Sequence, residues 1–330
     1  MAGLNRPLSE LIMRAIDTCK WPLTALLLAG LLAACGGGGD SSPNGAVTPT
    51  PTPVTPVTPP PGAPTASGDT ASDGFAWFNY RRNQVGLSTL TRNSIIDQAA
   101  LGHSNYQRLN NTVSHDQVAG NPGFTGQTLL NRLNNAGYFF TGARAYGEVI
   151  SAAGERDGFY HAEELIAAIY HRFVVFEPLF REMGTGAATN ASNYTYFTTD
   201  FSANNGYGPG LGRGNLVTYP VNNQTAVPPN FLSDSESPDP VPNQNEVGYP
   251  VSIHADNTST ITVNSFTVRP RGGAELATRL LSKAVDGETP KSAAAIIPLT
   301  RLAAGTTYDV SFSGTVDGST VTRSWSFTTR

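Results

Sequence analysis

The chain has 330 residues, 39% hydrophobic and 14% charged, with a net charge of −4 and a pI near 5.7. That length supports two domains with buried cores. No Lys/Arg cluster occurs in the part expected to fold, which argues against a nucleic-acid partner, because such a partner needs a basic patch to neutralise phosphates. The two cysteines, Cys19 and Cys35, both fall in the N-terminal segment described next, so the folded part has no disulfide to stabilise it.

Residues 1–35 read as a targeting segment. Arg14 and Lys20 precede an apolar run from Trp21 to Leu32, shorter than the roughly 20 residues of a spanning helix. The run ends in Leu32-Ala33-Ala34-Cys35 followed by four glycines. This resembles a bacterial lipobox, which implies a lipoprotein signal peptide, lipidation of Cys35 and attachment to the membrane through it. The stretch from Met13-Arg14 to Cys35 is a signal of more usual length, which favours Met13 over Met1 as the start. The residues after Cys35 are not aspartate, which by the same resemblance implies the outer membrane of the cell envelope. Several acyl chains, each adding about 0.8 kcal/mol per buried methylene, make a firm anchor where one chain is reversible. Residues 36–72 are a Gly/Pro/Thr linker without apolar periodicity, a semi-rigid spacer of about 3.1 Å per residue where proline dominates.

From Asp73 to residue 205 the pattern is helices followed by strands. Asp73 is placed to cap a helix carrying Phe75, Trp77, Phe78 and Tyr80 and ending near Gly86. Asn93 or Ser94 caps a second, with Ile95, Ile96, Ala99, Ala100, His103 and Tyr106 at helical spacing. A third runs from about Gly126 to Ala136, with Gly137 as its stop. A fourth covers about Phe159–Tyr170. Strands are expected at Tyr146–Ile150, Glu182–Ala188 and Tyr194–Phe201, the last two joined by a turn at 190–193. The fold class is α+β. Residues 206–244, rich in Gly, Pro and Asn, read as an extended connector. Residues 245–330 alternate with period two at 251–253, 261–263, 266–268 and 308–312, and predict a small all-β sandwich. The segment 302–308 resembles the tyrosine corner of Ig-like domains.

The histidines His103, His115, His161 and His171 and the carboxylates Glu148, Glu163 and Glu164 concentrate in the middle domain. Zinc-protease helix and nucleophile-elbow motifs are lacking, and Ser114-His115-Asp116 is contiguous, so its side chains diverge rather than form a triad. The Gly-rich run at 206–214 does not lie between a strand and a helix, as a phosphate loop does.

Motif order then carries a resemblance. The helix from Phe75 with Leu90, Ser114-His115, Gly137-Tyr138, Gly147-Glu148-Val149-Ile150, His171-Arg172, Pro178-Leu179-Phe180, Gly184-Thr185-Gly186 and the strand Tyr196–Phe201 together resemble the CAP superfamily, the SCP-like extracellular domain of cysteine-rich secretory, antigen 5 and pathogenesis-related 1 proteins. The resemblance implies an α/β/α sandwich around an antiparallel sheet. It also implies a cleft of two histidines and two glutamates able to hold a divalent metal, often zinc. Residue by residue, His115, Glu148 and His171 match that set. Val149 departs from the usual asparagine, and the second glutamate has no aligned counterpart. Glu164 is a substitute if its helix continues to His171, and His103 is a further candidate on the face of Tyr106. The set is read either as a metal site or as a polar cluster ordering the cleft without metal. Three functions follow: a non-enzymatic envelope-displayed module whose cleft takes a lipid, peptide or protein ligand; a zinc-dependent hydrolase of peptides or envelope polymers using His115, Glu148 and His171; or a structural chain with a vestigial cleft.

Overall fold

The structure, a computed structural model, describes residues 62–330. The expected signal segment, Cys35 and the spacer up to residue 61 lie outside the described residues. No helix of the described residues is long and apolar enough to cross a membrane.

The first elements are α1 (Thr70–Val85), β1 (Thr91–Arg92), α2 (Ser94–Asn110), α3 (Leu129–Ala136), β2 (Ala145–Ala153), α4 (Gly158–Ala167), α5 (Ile169–Val175), β3 (Glu182–Thr189) and β4 (Thr195–Ala203). α1 starts earlier than expected: Asp69 caps it by accepting from Ser72 N at 2.8 Å. Asp73 instead accepts from Ser67 N and Gly68 N, tying the entering chain down. Asn93 caps α2, and Thr128 caps α3 with a reciprocal bond from Asn131. The third helix is thus shorter than the periodicity predicts, because the Gly126 backbone at φ +148° cannot continue it.

The sheet runs β1-β3-β4-β2, with β2, β3 and β4 antiparallel and β1 added in parallel. Period-two alternation sorts β4 between two helical layers. Phe197 and Phe201 pack against Phe78 of α1, while Thr198 and Ser202 bond Ser104 of α2 and Tyr138 beyond α3. Two β3 glycines let α2 lie directly on the sheet. A Cβ at Gly186 would meet Leu101 N at 2.1 Å, and one at Gly184 would meet Asp97 N at 2.3 Å. Helices on both faces of an antiparallel sheet make an α/β/α sandwich.

The expected fourth helix breaks at Ala168, whose ψ of 119° is extended, and α5 restarts at an angle set by a carboxylate described below. The chain continues through β5 (Val217–Tyr219), β6 (Gln224–Val227), β7 (Asn230–Leu232), β8 (Glu246–Gly248), β9 (Val251–His254), β10 (Ile261–Pro270), β11 (Thr278–Ser282), β12 (Ala293–Pro298), β13 (Thr307–Val316) and β14 (Ser319–Thr329). Two four-stranded sheets form, β10-β13-β14-β6 and β11-β12-β9-β5. Residues 206–244, read from sequence as a connector, therefore supply edge strands to both sheets. The expected runs at 261–263 and 266–268 are one strand bent by a bulge between Val263 and Ser265. Tyr308 OH accepts from Ala303 N at 2.8 Å, closing the corner expected there.

The two regions share their cores. Ile169, Tyr170 and Phe173 of α5 pack with Phe231, Val247, Leu281 and Ile297 of the C-terminal strands.

Candidate functional site

β2 carries Glu148 opposite Asp200 of β4, on the face covered by α2 and α3. The Glu148 carboxylate is 3% exposed, with Oε1 at 2.8 Å from His115 Nδ1 and Oε2 accepting from Arg132 at 2.5 Å. Arg132, buried on α3, also donates to the carbonyls of His115 at 2.8 Å and Gln127 at 3.3 Å. One guanidinium thus holds both the carboxylate and the loop that carries the histidine. Burial pushes the Glu148 carboxyl up, but the Arg132 guanidinium, helped by the His115 hydrogen bond, outweighs it and holds the group well below the carboxylate range. Asp200 goes the other way: burial, then the Glu148 charge, raises its carboxyl well above the usual value. Its oxygens accept from no donor among the described residues, and the raised carboxyl keeps its proton toward Glu148, an arrangement that a neutral acid tolerates better than an anion.

His103 lies fully buried under this loop. Its Nε2 donates to Ser114 O at 2.7 Å and its Nδ1 accepts from Gln117 at 2.9 Å. Burial lowers its pKa to about 4, so it is neutral and serves as a brace for residues 114–117.

His171 enters from α5. Its Nδ1 lies 2.9 Å from Oε1 of Glu236, a residue 65 positions later whose side chain is fully buried. The same carboxylate accepts from the backbone N–H groups of Ile169 at 2.8 Å, Tyr170 at 2.7 Å and His171 at 3.1 Å. Those are the orphan donors of a helix start, and their capture explains why the chain turns at Ala168 instead of continuing α4. The break carries Glu164 out of register with His171.

His115, Glu148 and His171 line one pocket, with Tyr170, Val174, Ser237, Pro238 and Glu288. Its volume is about 30 Å³, room for about two waters. A hydroxyl-lined opening of about 550 Å³ around Arg213, Thr258–Thr262 and Asp317 shares no residue with it. Glu164 and His103 are not in the pocket. Burial and neighbouring Glu163 raise the Glu164 carboxyl, which Arg330 partly offsets. His161 ties α4 to β2, with Ser151 Oγ at 2.8 Å from its Nδ1 and Glu155 O at 3.0 Å from its Nε2. Among the described residues Arg172 forms no ion pair with a carboxylate. It donates to the last carbonyls of α4, Ile166 and Ala167, and to Pro250 O, and stacks between Tyr219 and Tyr249 at 4.9 and 5.0 Å.

The donors do not fit the metal implied by the resemblance. Both Glu148 oxygens are engaged, one by a buried guanidinium that opposes a dication beside it. Among the described residues no three His, Cys, Asp or Glu side chains are placed to hold one ion. Two imidazoles remain, each with Nδ1 committed to a glutamate, fewer than the three or four ligands of a protein zinc site. Sequence reasoning missed Arg132 and Glu236. Arg132 sits on the polar side of a short amphipathic helix, and no local spacing links Glu236 to His171.

These features define an α/β/α domain around an antiparallel sheet, with paired His and Glu residues at one end of the cleft. Residues 75–201 match the sequence model of the cysteine-rich secretory protein family, CAP, so this part of the chain carries a CAP domain. Among solved structures, an extracellular SCP-domain protein of Bacillus anthracis is similar, with 26% identity over 40% of this chain and 39% of that one and a TM-score of 0.34. An outer surface protein of Borrelia burgdorferi has 14% identity over 39% of this chain and 89% of its own, with a TM-score of 0.34. The venom allergen-like protein 4 of Schistosoma mansoni has 11% identity over 43% and 91%, with a TM-score of 0.29. The similarity to the Bacillus protein thus spans well under half of that protein's length. No curated protein matches the chain.

Proposed function

We propose that this protein is an envelope-anchored CAP-domain lipoprotein that acts as a non-enzymatic binding module, held at the outer membrane through lipid on Cys35 and carrying its CAP cleft outward on a Pro/Thr spacer. The observation that carries the binding part is the mutual satisfaction of the cleft's polar groups. Glu148 is engaged by His115 and Arg132, and Glu236 by His171 and three backbone amides, so the two glutamates paired with the cleft histidines are both held by fixed partners. The anchor part is supported by the sequence alone, through Leu32-Ala33-Ala34-Cys35.

Fractionation tests the anchor. The wild-type chain stays with membranes through a high-salt wash, and Cys35→Ala is released with both regions folded; retention of the variant after washing refutes the anchor. Metal analysis tests the zinc hydrolase alternative. The binding reading expects no stoichiometric zinc after supplementation and dialysis. One zinc per chain that disappears in both His115→Ala and His171→Ala would overturn it.

A further inference from the structure

One wall of the CAP pocket is not made by the CAP domain. Ser237 and Pro238 come from the arm between β7 and β8, and Glu288 from the turn between β11 and β12. β7 and β8 pair from Asn230↔Gly248 to Leu232↔Glu246, so the residues between them form the tip of a hairpin-like arm. Its base is fixed by apolar burial, with Phe231, Val241 and Val247 packed against Ile169, Tyr170 and Phe173. Its tip closes on itself through Ser233, whose N–H donates to Asn245 O at 2.7 Å and whose Oγ accepts from Val241 N at 3.0 Å.

What fastens the tip to the CAP domain is different in kind. In the run from Asp234 to Ser237, Asp234, Ser235 and Ser237 are exposed and Glu236 alone is buried. That one carboxylate receives three consecutive α5 amides and His171 Nδ1. Tyr170 OH also donates to Asp286 of the same wall at 3.3 Å.

We infer that the tip of the arm at residues 234–239 is a latch over the CAP cleft, with Glu236 as the positioning residue that holds it shut. This rests on reading the cleft as a binding site. Closed, the latch narrows the cleft to about 30 Å³, because Ser237 and Pro238 line the same pocket as His115 and His171. Any ligand larger than a few atoms enters only when the tip swings away. The apolar base stays anchored while it does so, since opening costs the carboxylate's bonds and not the buried Phe231, Val241 and Val247 contacts. The device also sets selectivity: a ligand must compete for the α5 amides or displace the acidic tip. Substituting Glu236 converts a closed cleft into an open one without removing any His115 or Glu148 contact.

Histidine carbethoxylation by diethyl pyrocarbonate, read by peptide mass spectrometry on the full folded chain, tests the latch. His115 reports access, because its Nδ1 partner Glu148 is untouched by the substitution. The buried His103, His161 and His254 report global integrity. Glu236→Ala is expected to raise the His115 rate at least fivefold with the three controls unchanged, and to speed amide exchange at 169–171 and 234–239 at least tenfold while β3 and β4 keep their protection. Glu236→Gln, which keeps an accepting oxygen, is expected to fall between. An unchanged His115 rate together with faster exchange of the arm overturns the latch, since the arm then does not shield the cleft. If Glu236→Ala exposes all five histidines, Glu236→Gln decides: a His115 rate equal to wild type in a folded protein overturns the proposal, and a raised one supports it. None of these readouts involves zinc, membranes or a ligand, so failure of the latch and failure of the binding reading are separate results.

Discussion

Replacing Arg132 by methionine isolates the electrostatic core of the site. The substitution keeps most of the apolar stem and deletes a buried guanidinium that donates to Glu148, to the His115 carbonyl and to the Gln127 carbonyl. Glu148, 3% exposed, is left as a buried carboxylate with one imidazole beside it. Breaking a buried pair from one side costs about 3–5 kcal/mol. In the wild type the lowered Glu148 pKa adds stability that is present above the unfolded value near 4.5 and lost as pH falls below it. Without Arg132, burial dominates and raises the group, so its contribution reverses sign and stability falls as pH rises above about the same unfolded value. Urea unfolding followed by tryptophan fluorescence between pH 4 and pH 8 reads both effects. The double variant Arg132→Met/Glu148→Gln is expected to recover at least half the loss, because no ion is then left unpaired. A cost under about 1 kcal/mol, or a double variant no better than the single one, would refute the assignment of Arg132 as the partner that keeps Glu148 ionised.

Asp200→Asn is expected to raise the urea midpoint at pH 7 and to leave it unchanged at pH 3, because above the unfolded value of 3.8 the unfolded carboxyl gives up its proton while the folded one, raised by burial, keeps it, so the folded acid costs stability as pH climbs. Arg172→Lys is expected to cost about 2 kcal/mol or more in the same assay, since a lysine cannot stack between Tyr219 and Tyr249 while serving the carbonyls of Ile166 and Pro250. Gly186→Ala is expected to cost about 3 kcal/mol or abolish soluble expression, the added methyl meeting the α2 backbone at 2.1 Å. Glu177→Gln should flatten the pH dependence of stability between about 4.5 and 8, because burial raises that carboxyl to about 8 and its contribution is otherwise lost as pH rises through that window.

The sequence was most legible where side-chain period and local chemistry agreed. Helix caps at Asn93 and Gly137, the turn at 190–193 and the β4 alternation all follow from neighbours within a few residues. The convergence of His115, Glu148 and His171 on one pocket followed from motif order, which encodes a fold that no single motif encodes. Non-local features were not legible. Ala293–Pro298 is a buried strand without alternation, since both faces are covered. Arg132 resembles any surface arginine until α3 is laid over β2. The break at Ala168 is written in Glu236, not in the helix it interrupts, so helical spacing from Glu164 to His171 carried no information about contact.

Because α5 buries Ile169, Tyr170 and Phe173 in the C-terminal strands, the borders of the family domain and of the cooperative folding unit do not coincide. A chain cut after residue 205 keeps every CAP motif yet presents a bare oily helix, with its starting amides unserved. Recombination could not splice this CAP segment onto another tail and expect it to remain soluble, so mutations at the seam between the two halves should accumulate in compensating pairs.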